Sequence, residues 1–397
     1  MIRRRENSHS ECKQMTAGFL RRLALAFIFS FSCVACAHAF DRPPAEGKLP
    51  VELRTRAQQS VDRALAFLRS SQGKDGGWTE QFGPAVTAII AQAFAADRDH
   101  GPDHAVVKRA IENIRRFEQE DGGIYERKQN LANYQTSVVL SFLATLPGEE
   151  QDARIARAQA FLTKLQFDEG EKIEKSGTWY GGAGYNEAKR PDLSNTQMML
   201  QALHDSGLSK GDPVYQRALV FISRCQMNSA TNDQPFSKEY SDGGFIYTAA
   251  DGGESKAVEN PGEVKTSLRS YGSMTYAGFK SMLYCGLSKE DPRVKAAYDW
   301  IRRHYTLDSN PGMPGKVSKQ GLYYYYHVFA RALSAYGEPV VIDSKNESHN
   351  WRVDVVKKLI SLQRSDGSWV NEADRWLEGD ANYITGLTVL TLQNAME

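Results

Sequence analysis

Two aspartates, one histidine and a group of tyrosines and asparagines are the residues here whose types and settings could do chemistry. Asp192 opens Asp192-Leu-Ser194-Asn195-Thr196, and Asp380 opens Asp380-Ala-Asn382-Tyr383-Ile-Thr385, each immediately before a stretch with few charges. A carboxyl group in apolar surroundings resists ionisation and can protonate an alkene or a glycosidic oxygen. The same positions are also those of helix N-caps, where Asp, Ser and Asn satisfy free amides and Thr bonds the backbone. Tyr134 and Tyr276 fall at comparable places in Asn133-Tyr134-Gln135-Thr136 and Tyr271-Gly-Ser273-Met-Thr275-Tyr276. Tyr323-Tyr-Tyr-Tyr326-His327 carries rings to every side of one helix, so some must face inward. Ring faces can stabilise a cation, and large rings also fill wide helical cores. The candidate catalytic residues are therefore Asp192, Asp380 and His327, the last equally readable as a core hydrogen-bonder. Tyr134, Asn195, Tyr276, Tyr323, Tyr326, Asn382 and Tyr383 are the candidate cavity or ligand-binding residues.

The elements that must position them repeat. Six times after residue 50, an amphipathic helix leads through a Gly-rich turn to a second, more uniformly apolar helix. The first helices show stripes such as Val61, Ala64, Leu65 and Leu68, or Val107, Ala110, Ile111 and Ile114. The second helices begin near Ala85, Ala132, Ser194, Ser273, Tyr324 and Ala381, and most carry too few charges to face water. Between them lie Asp75-Gly-Gly-Trp78, Asp121-Gly-Gly-Ile124, Gly177-Thr-Trp179, Asp242-Gly-Gly-Phe245, a looser segment at Gly312, and Asp366-Gly-Ser-Trp369. Glycine there supplies the positive φ that ends the first helix. Insertions at 227–241, 248–270, 306–321 and 370–380 would crowd one rim, together with the second helices' amide ends, which favour anions unless capped.

In the first and last repeats the turn reads Gln72-x-x-x-Gly76-x-Trp78 and Gln363-x-x-x-Gly367-x-Trp369. With the helix alternation and a period of roughly 45 to 70 residues, this resembles the squalene-cyclase and protein-prenyltransferase repeat family over about residues 55 to 395. The resemblance implies an all-α fold, an α/α toroid of about six helix hairpins whose inner helices line a central cavity. No cofactor is expected. Two family signatures are missing. The acid motif Asp-x-Asp-Asp occurs nowhere, the nearest string being Asp97-Arg-Asp99-His100 at the other end of the first hairpin. The tyrosine that would precede the zinc histidine is Tyr383, and Ile384 follows it, so no metal is expected. The chain also has room for one helical domain, where squalene cyclases carry two.

The chain has 397 residues, 41% hydrophobic and 24% charged, with a formal net charge of +1. That balance, without a basic run in the body, gives no footprint for nucleic acid. Arg21-Arg22, the apolar run Leu23–Val34 and Ala37-His38-Ala39 resemble a secretory signal over residues 1–39, with Met15 as an alternative start. A linker at 40–54 and the toroid at 55–397 would follow, exported to a periplasmic or extracellular space. No stretch approaches the roughly 18 apolar residues of a membrane span. Cys225 and Cys285 could form at most one disulfide.

These features lead to an exported toroid that binds an isoprenoid or other elongated apolar ligand in an aromatic-lined cavity, with its transformation left open. Two alternatives stand beside it. One is a non-catalytic envelope module that binds an unknown protein partner through the rim insertions. The other is a carbohydrate-active toroid using Asp192 and Asp380 as acid and base.

Overall fold

The computed structural model describes residues 48–259 and 268–397. The expected signal segment and most of the expected linker lie outside them, as does part of the 248–270 insertion. The described residues form six consecutive helix hairpins: α1 (Val51–Ser70) with α2 (Pro84–Ala95), α3 (Ala105–Arg115) with α4 (Ala132–Leu143), and α5 (Glu149–Lys164) with α6 (Leu193–Asp205). They continue with α7 (Pro213–Cys225) and α8 (Gly272–Tyr284), α9 (Pro292–Arg303) and α10 (Leu322–Tyr336), then α11 (Trp351–Leu362) and α12 (Ala381–Met396). A short antiparallel pair, β1 (Val340–Ile342) and β2 (Ser348–Asn350), connects α10 to α11. Helix α1 begins at Val51, inside the segment expected to be linker.

Burial separates two layers as the apolar patterns require. In α3 a stripe of Val106, Val107, Ala110 and Ile114 is buried. In α4 nearly every residue from Ala132 to Leu143 is buried, which leaves no face for water. The even-numbered helices pack side by side as an inner ring, and the ring closes because α12 contacts α2 while α1 contacts α11 and α12. The fold is an α/α toroid.

One small device recurs between neighbouring hairpins. A glutamine at the end of an outer helix donates both to its own turn and to the next outer helix. Gln72 Nε2 reaches the Gly76 carbonyl at 2.9 Å and the Val106 carbonyl at 3.0 Å. Gln166 does the same with Gly181 and Val214, and Gln226 with Gly243 and Arg293. The turn glycine must come close to that next helix. At Gly367 (φ 90°), an added Cβ would lie 2.6 Å from the Arg63 carbonyl oxygen. The tryptophans lock the turn inward, Trp78 Nε1 donating to Leu68 O at 2.7 Å and Trp369 Nε1 to Leu359 O at 2.9 Å. A threonine one turn into the inner helix accepts the turn's backbone N–H, as Thr87 does from Trp78 and Thr385 from Trp369.

On the rim, each inner-helix start is tied to the loop of the following repeat. The Asn133 amide donates to Tyr185 O and the Leu193 amide to Tyr247 O. The Ser273 amide donates to Asn310 Oδ1 at 3.0 Å, and the Tyr324 amide to Glu378 Oε1 at 2.8 Å. Helices α8 and α10 need this help, because Tyr271 and Gly321 at their N-caps provide no side-chain cap. Asp192 and Asp380 cap α6 and α12 themselves. These caps use the amides that could have attracted an anion to the rim.

Candidate functional site

The ring encloses a cavity of about 740 Å³. Its lining follows the helical period down the inner helices: Tyr134, Val138 and Ser141 on α4; Asn195, Met198, Gln201 and Asp205 on α6; Tyr324, His327 and Arg331 on α10; Tyr383, Leu387, Leu390 and Asn394 on α12. Residues three or four apart share a helix face, so each helix presents one continuous stripe. The stripes divide the cavity into three zones.

The rim end is an aromatic cup. Tyr134, Tyr324 and Tyr383 come from helices, Tyr185, Tyr247 and Tyr271 from the rim loops and helix cap, and Trp376 from the last insertion. The Tyr324 hydroxyl accepts from Gln197 Nε2 at 3.0 Å and lies 3.3 Å from Ser194 Oγ. The Tyr383 and Tyr134 hydroxyls face one another closely enough to act on each other's ionisation. Trp376 and Leu377 adopt positive φ (56° and 68°), and the indole remains 43% exposed at the mouth.

Two buried acids stand behind this cup. Asp192 accepts from the Asn195 amide and from Asn195 Nδ2, both at 2.8 Å, and from the Tyr247 hydroxyl. Burial pushes its pKa up to about 6 against those hydrogen bonds. Asp192 itself does not line the cavity, whereas its partners Asn195 and Tyr247 do. Glu378 does line it, and burial pushes that carboxyl to about 7 although it caps α10 and accepts from Asn371 Nδ2 at 2.6 Å.

The waist is aliphatic, formed by Ile89, Val138, Met198, Leu387 and Leu390. The floor, at the carbonyl ends of the inner helices, is polar. Arg331 pairs with Asp205, whose Oδ1 lies 3.3 Å from His204 Nδ1. Burial alone would raise the Asp205 carboxyl, but His204 and Arg331 hold it below its ordinary value. Lys280 is fully buried beside this group and donates to Gln201 Oε1. Burial, then the Arg331 charge, lowers its ammonium pKa to about 7. His327 lies between waist and floor, with Nδ1 3.3 Å from Thr391 Oγ1. Burial and the two floor cations push its pKa well down, so it stands as a neutral imidazole at neutral pH.

The residues singled out in the sequence divide accordingly. Tyr134, Asn195, His327 and Tyr383 meet in the cavity lining; Asp192, Asp380, Tyr276, Tyr323, Tyr326 and Asn382 are not part of it. Tyr276 packs against Tyr325 and Phe329. Tyr326 turns away to donate to Leu307 O at 2.7 Å, and Tyr323 packs edge-on against it. Asp380 caps α12 and accepts from Thr79 Oγ1, and Asn382 accepts from Ser71 Oγ at 2.7 Å, so both join the last repeat to the first. The sequence reading missed Tyr185, Tyr247, Tyr271, Trp376 and Glu378 in the loops, and the charged floor. The stripe spacing in α6 and α10 was the signal that could have revealed the floor. Cys225 and Cys285 are both free and buried. Asp343, Glu347 and His349 could meet on a metal ion at the β1–β2 hairpin, but Asp343 Oδ1 already accepts from the Lys345 and Glu347 amides.

Residues 83–248 match the squalene-hopene cyclase C-terminal domain. Over that stretch the chain resembles the squalene-cyclase repeats. Its fold is similar to that of the apo type II terpene cyclase MstE from Scytonema, at 14% identity and a TM-score of 0.51, over 86% of this chain and 99% of that one. It is also similar to a D-mannose isomerase (12% identity, TM-score 0.54, 87% and 99% covered). The GH76A alpha-1,6-mannanase from Salegentibacter sp. HEL1_6 is a further likeness (9% identity, TM-score 0.52, 87% and 98% covered). At such identities these three share the toroid alone. No curated protein sequence matches the chain. Among the described residues, no helix is long and apolar enough to cross a membrane.

Proposed function

We propose that this chain is an exported toroid that binds an elongated apolar ligand, an isoprenoid first of all, along the axis of its ring. Cyclases and sugar enzymes share the fold, so the fold does not choose among them. The lining favours an apolar chain, and the observation that carries this reading is the aliphatic waist leading into a cup of six tyrosines and one tryptophan. Burial of hydrocarbon in such a channel is worth about 25 cal/mol per Å². Ring faces and edges accommodate the double bonds of an isoprenoid without demanding hydrogen bonds. The sugar reading needs two carboxylates flanking the substrate; Asp192 and Asp380 are both outside the lining, and the carboxylates that do line it stand at opposite ends, Glu378 at the rim and Asp205 with Glu397 at the floor. Export rests on the apolar run after Arg21-Arg22.

The test is to purify the full-length chain from isoprenoid-rich cells and identify co-purifying lipids by mass spectrometry. The reading expects a near-stoichiometric polyprenoid that is lost from the Tyr324→Ala and Tyr383→Ala variants. A preparation that retains no apolar molecule, and takes up none when farnesol or geranylgeraniol is added, overturns it.

A further inference from the structure

The two ends of the cavity differ in chemistry, and the difference gives the ligand a direction. Lys280 can donate but not accept, so its bond to Gln201 requires the amide oxygen to point at the ammonium. The Gln201 side-chain NH₂ group is thereby left over as a donor, on a residue that lines the floor. Arg331 lines the same floor; one edge of its guanidinium serves Asp205 and its buried Nε has no hydrogen bond. The half-buried Arg331 pairs with the half-buried Asp205, while the fully buried Lys280 has Gln201 as its partner and, among the described residues, no paired carboxylate. His204 bonds to that carboxylate and stacks on Tyr284 at 4.0 Å, and His327 stands one turn above Arg331. Glu397 acts on Arg331 through space from an exposed position. The carbonyl ends of the inner helices offset part of the positive charge, but none of their oxygens accepts from Arg331 Nε.

We infer that the floor at Gln201 and Arg331, with Lys280 buried behind Gln201, is a subsite for a carboxylate, so that the ligand is an amphiphilic acid bound head down with its hydrocarbon through the waist into the aromatic cup. The inference rests on the apolar-ligand reading for its tail and on the floor alone for its head. A carboxylate has two acceptor oxygens for the Gln201 and Arg331 donors, and its bond to the guanidinium is charge-assisted. The twelve residues of α12 from Tyr383 to Asn394 span about 16 Å, which suits a chain of a few isoprene units.

Titration calorimetry of the purified full-length chain with farnesoic acid, farnesol and palmitate tests this. Farnesoic acid is expected to bind about tenfold or more tightly than farnesol, the scale of one charge-assisted pair. Arg331→Gln and Lys280→Met should each remove most of that preference while farnesol affinity stays within about threefold. If Arg331→Gln fails to fold because Asp205 loses its partner, the double variant Asp205→Asn/Arg331→Gln removes both charges and carries the same expectation. Equal binding of acid and alcohol by the unaltered protein, or a preference that survives both substitutions, overturns the subsite. If palmitate binds with the same Arg331 dependence and neither farnesyl probe binds, the carboxylate subsite stands and the isoprenoid reading falls. If both farnesyl probes bind equally well, the reverse holds. If none of the three binds, both are overturned.

Discussion

The side chain of Gln363, in the last repeat, donates to the backbone carbonyl of Ser60, in the first, at 2.8 Å, and to Gly367 O at 2.9 Å. Its oxygen accepts from Ser60 Oγ at 2.7 Å. The glutamine that joins the first, third and fourth hairpins to the next therefore also closes the ring. Replacing Gln363 with alanine leaves two carbonyls and one hydroxyl without their partners, at about 1–3 kcal/mol. We expect a lower melting temperature by calorimetry, with earlier proteolysis near α1 and α11, the elements that the closure joins. Gln72→Ala should cost a similar amount without exposing the ring's ends. Equal proteolytic patterns for the two variants would contradict a special role in closure.

Gly367→Ala should be at least as damaging. Its φ of 90° disfavours any side chain, and the new methyl would meet Arg63 O at 2.6 Å. By contrast Gly148, with φ 113° and ψ 148° but nothing within reach of an added Cβ, should lose only the backbone term of about 1–3 kcal/mol. Urea unfolding of Gly367→Ala and Gly148→Ala separates contact from conformation, the larger loss being expected at Gly367.

The hairpins and ring were legible because their signals are local. Helical periodicity marks the buried stripe, and the Gln-x-x-x-Gly-x-Trp spacing marks a turn whose glycine and tryptophan have defined mechanical roles. The cavity was only half legible. Tyr323, Tyr324, Tyr325 and Tyr326 are chemically identical, and consecutive helical residues point about 100° apart. Only the phase of α10 against its neighbours selects Tyr324, in line with His327 and Arg331, while Tyr326 turns to Leu307. Tyr185 and Tyr247 come from loops without periodicity, so nothing local placed them beside Asn195 and Asp192. Glu378 was illegible for a related reason: it caps α10 from a different repeat, a relationship with no fixed sequence spacing.

The buried acids and the buried lysine should give opposing pH dependences. Asp192 rises from 3.8 to about 6 and Glu378 from 4.5 to about 7, so each is favoured protonated in the folded state. Their contribution is full below the unfolded values and is lost as pH climbs through 6 and 7. Lys280 falls from 10.5 to about 7, so its contribution is full above 10.5 and is lost as pH drops toward 7. Chemical denaturation from pH 4 to 10 should show Glu378→Gln and Asp192→Asn flattening the slope between pH 4 and 7. Lys280→Met should flatten it between 7 and 10. A variant curve parallel to the unaltered protein throughout would show that the replaced group does not titrate differently on folding.

Tyr324 and Tyr326, two residues apart on α10, should separate ligand binding from stability. Tyr324 lines the cup and its hydroxyl is held by Gln197, whereas Tyr326 is 1% exposed between α10 and the rim loop and its hydroxyl serves Leu307 O. Tyr326→Ala removes a core aromatic, at about 3–5 kcal/mol. It should lower the melting temperature strongly while the surviving folded protein binds farnesol as before. Tyr324→Ala enlarges a space that is already open, so its stability cost should be smaller and its effect on farnesol affinity larger, about tenfold for the lost aromatic contact. Tyr324→Phe should keep most of the affinity, since the proposed contact is with the ring and not with the hydroxyl. If Tyr326→Ala weakens binding more than Tyr324→Ala at a temperature where both are folded, the ligand lies on the rim side of α10 and not along the axis of the ring.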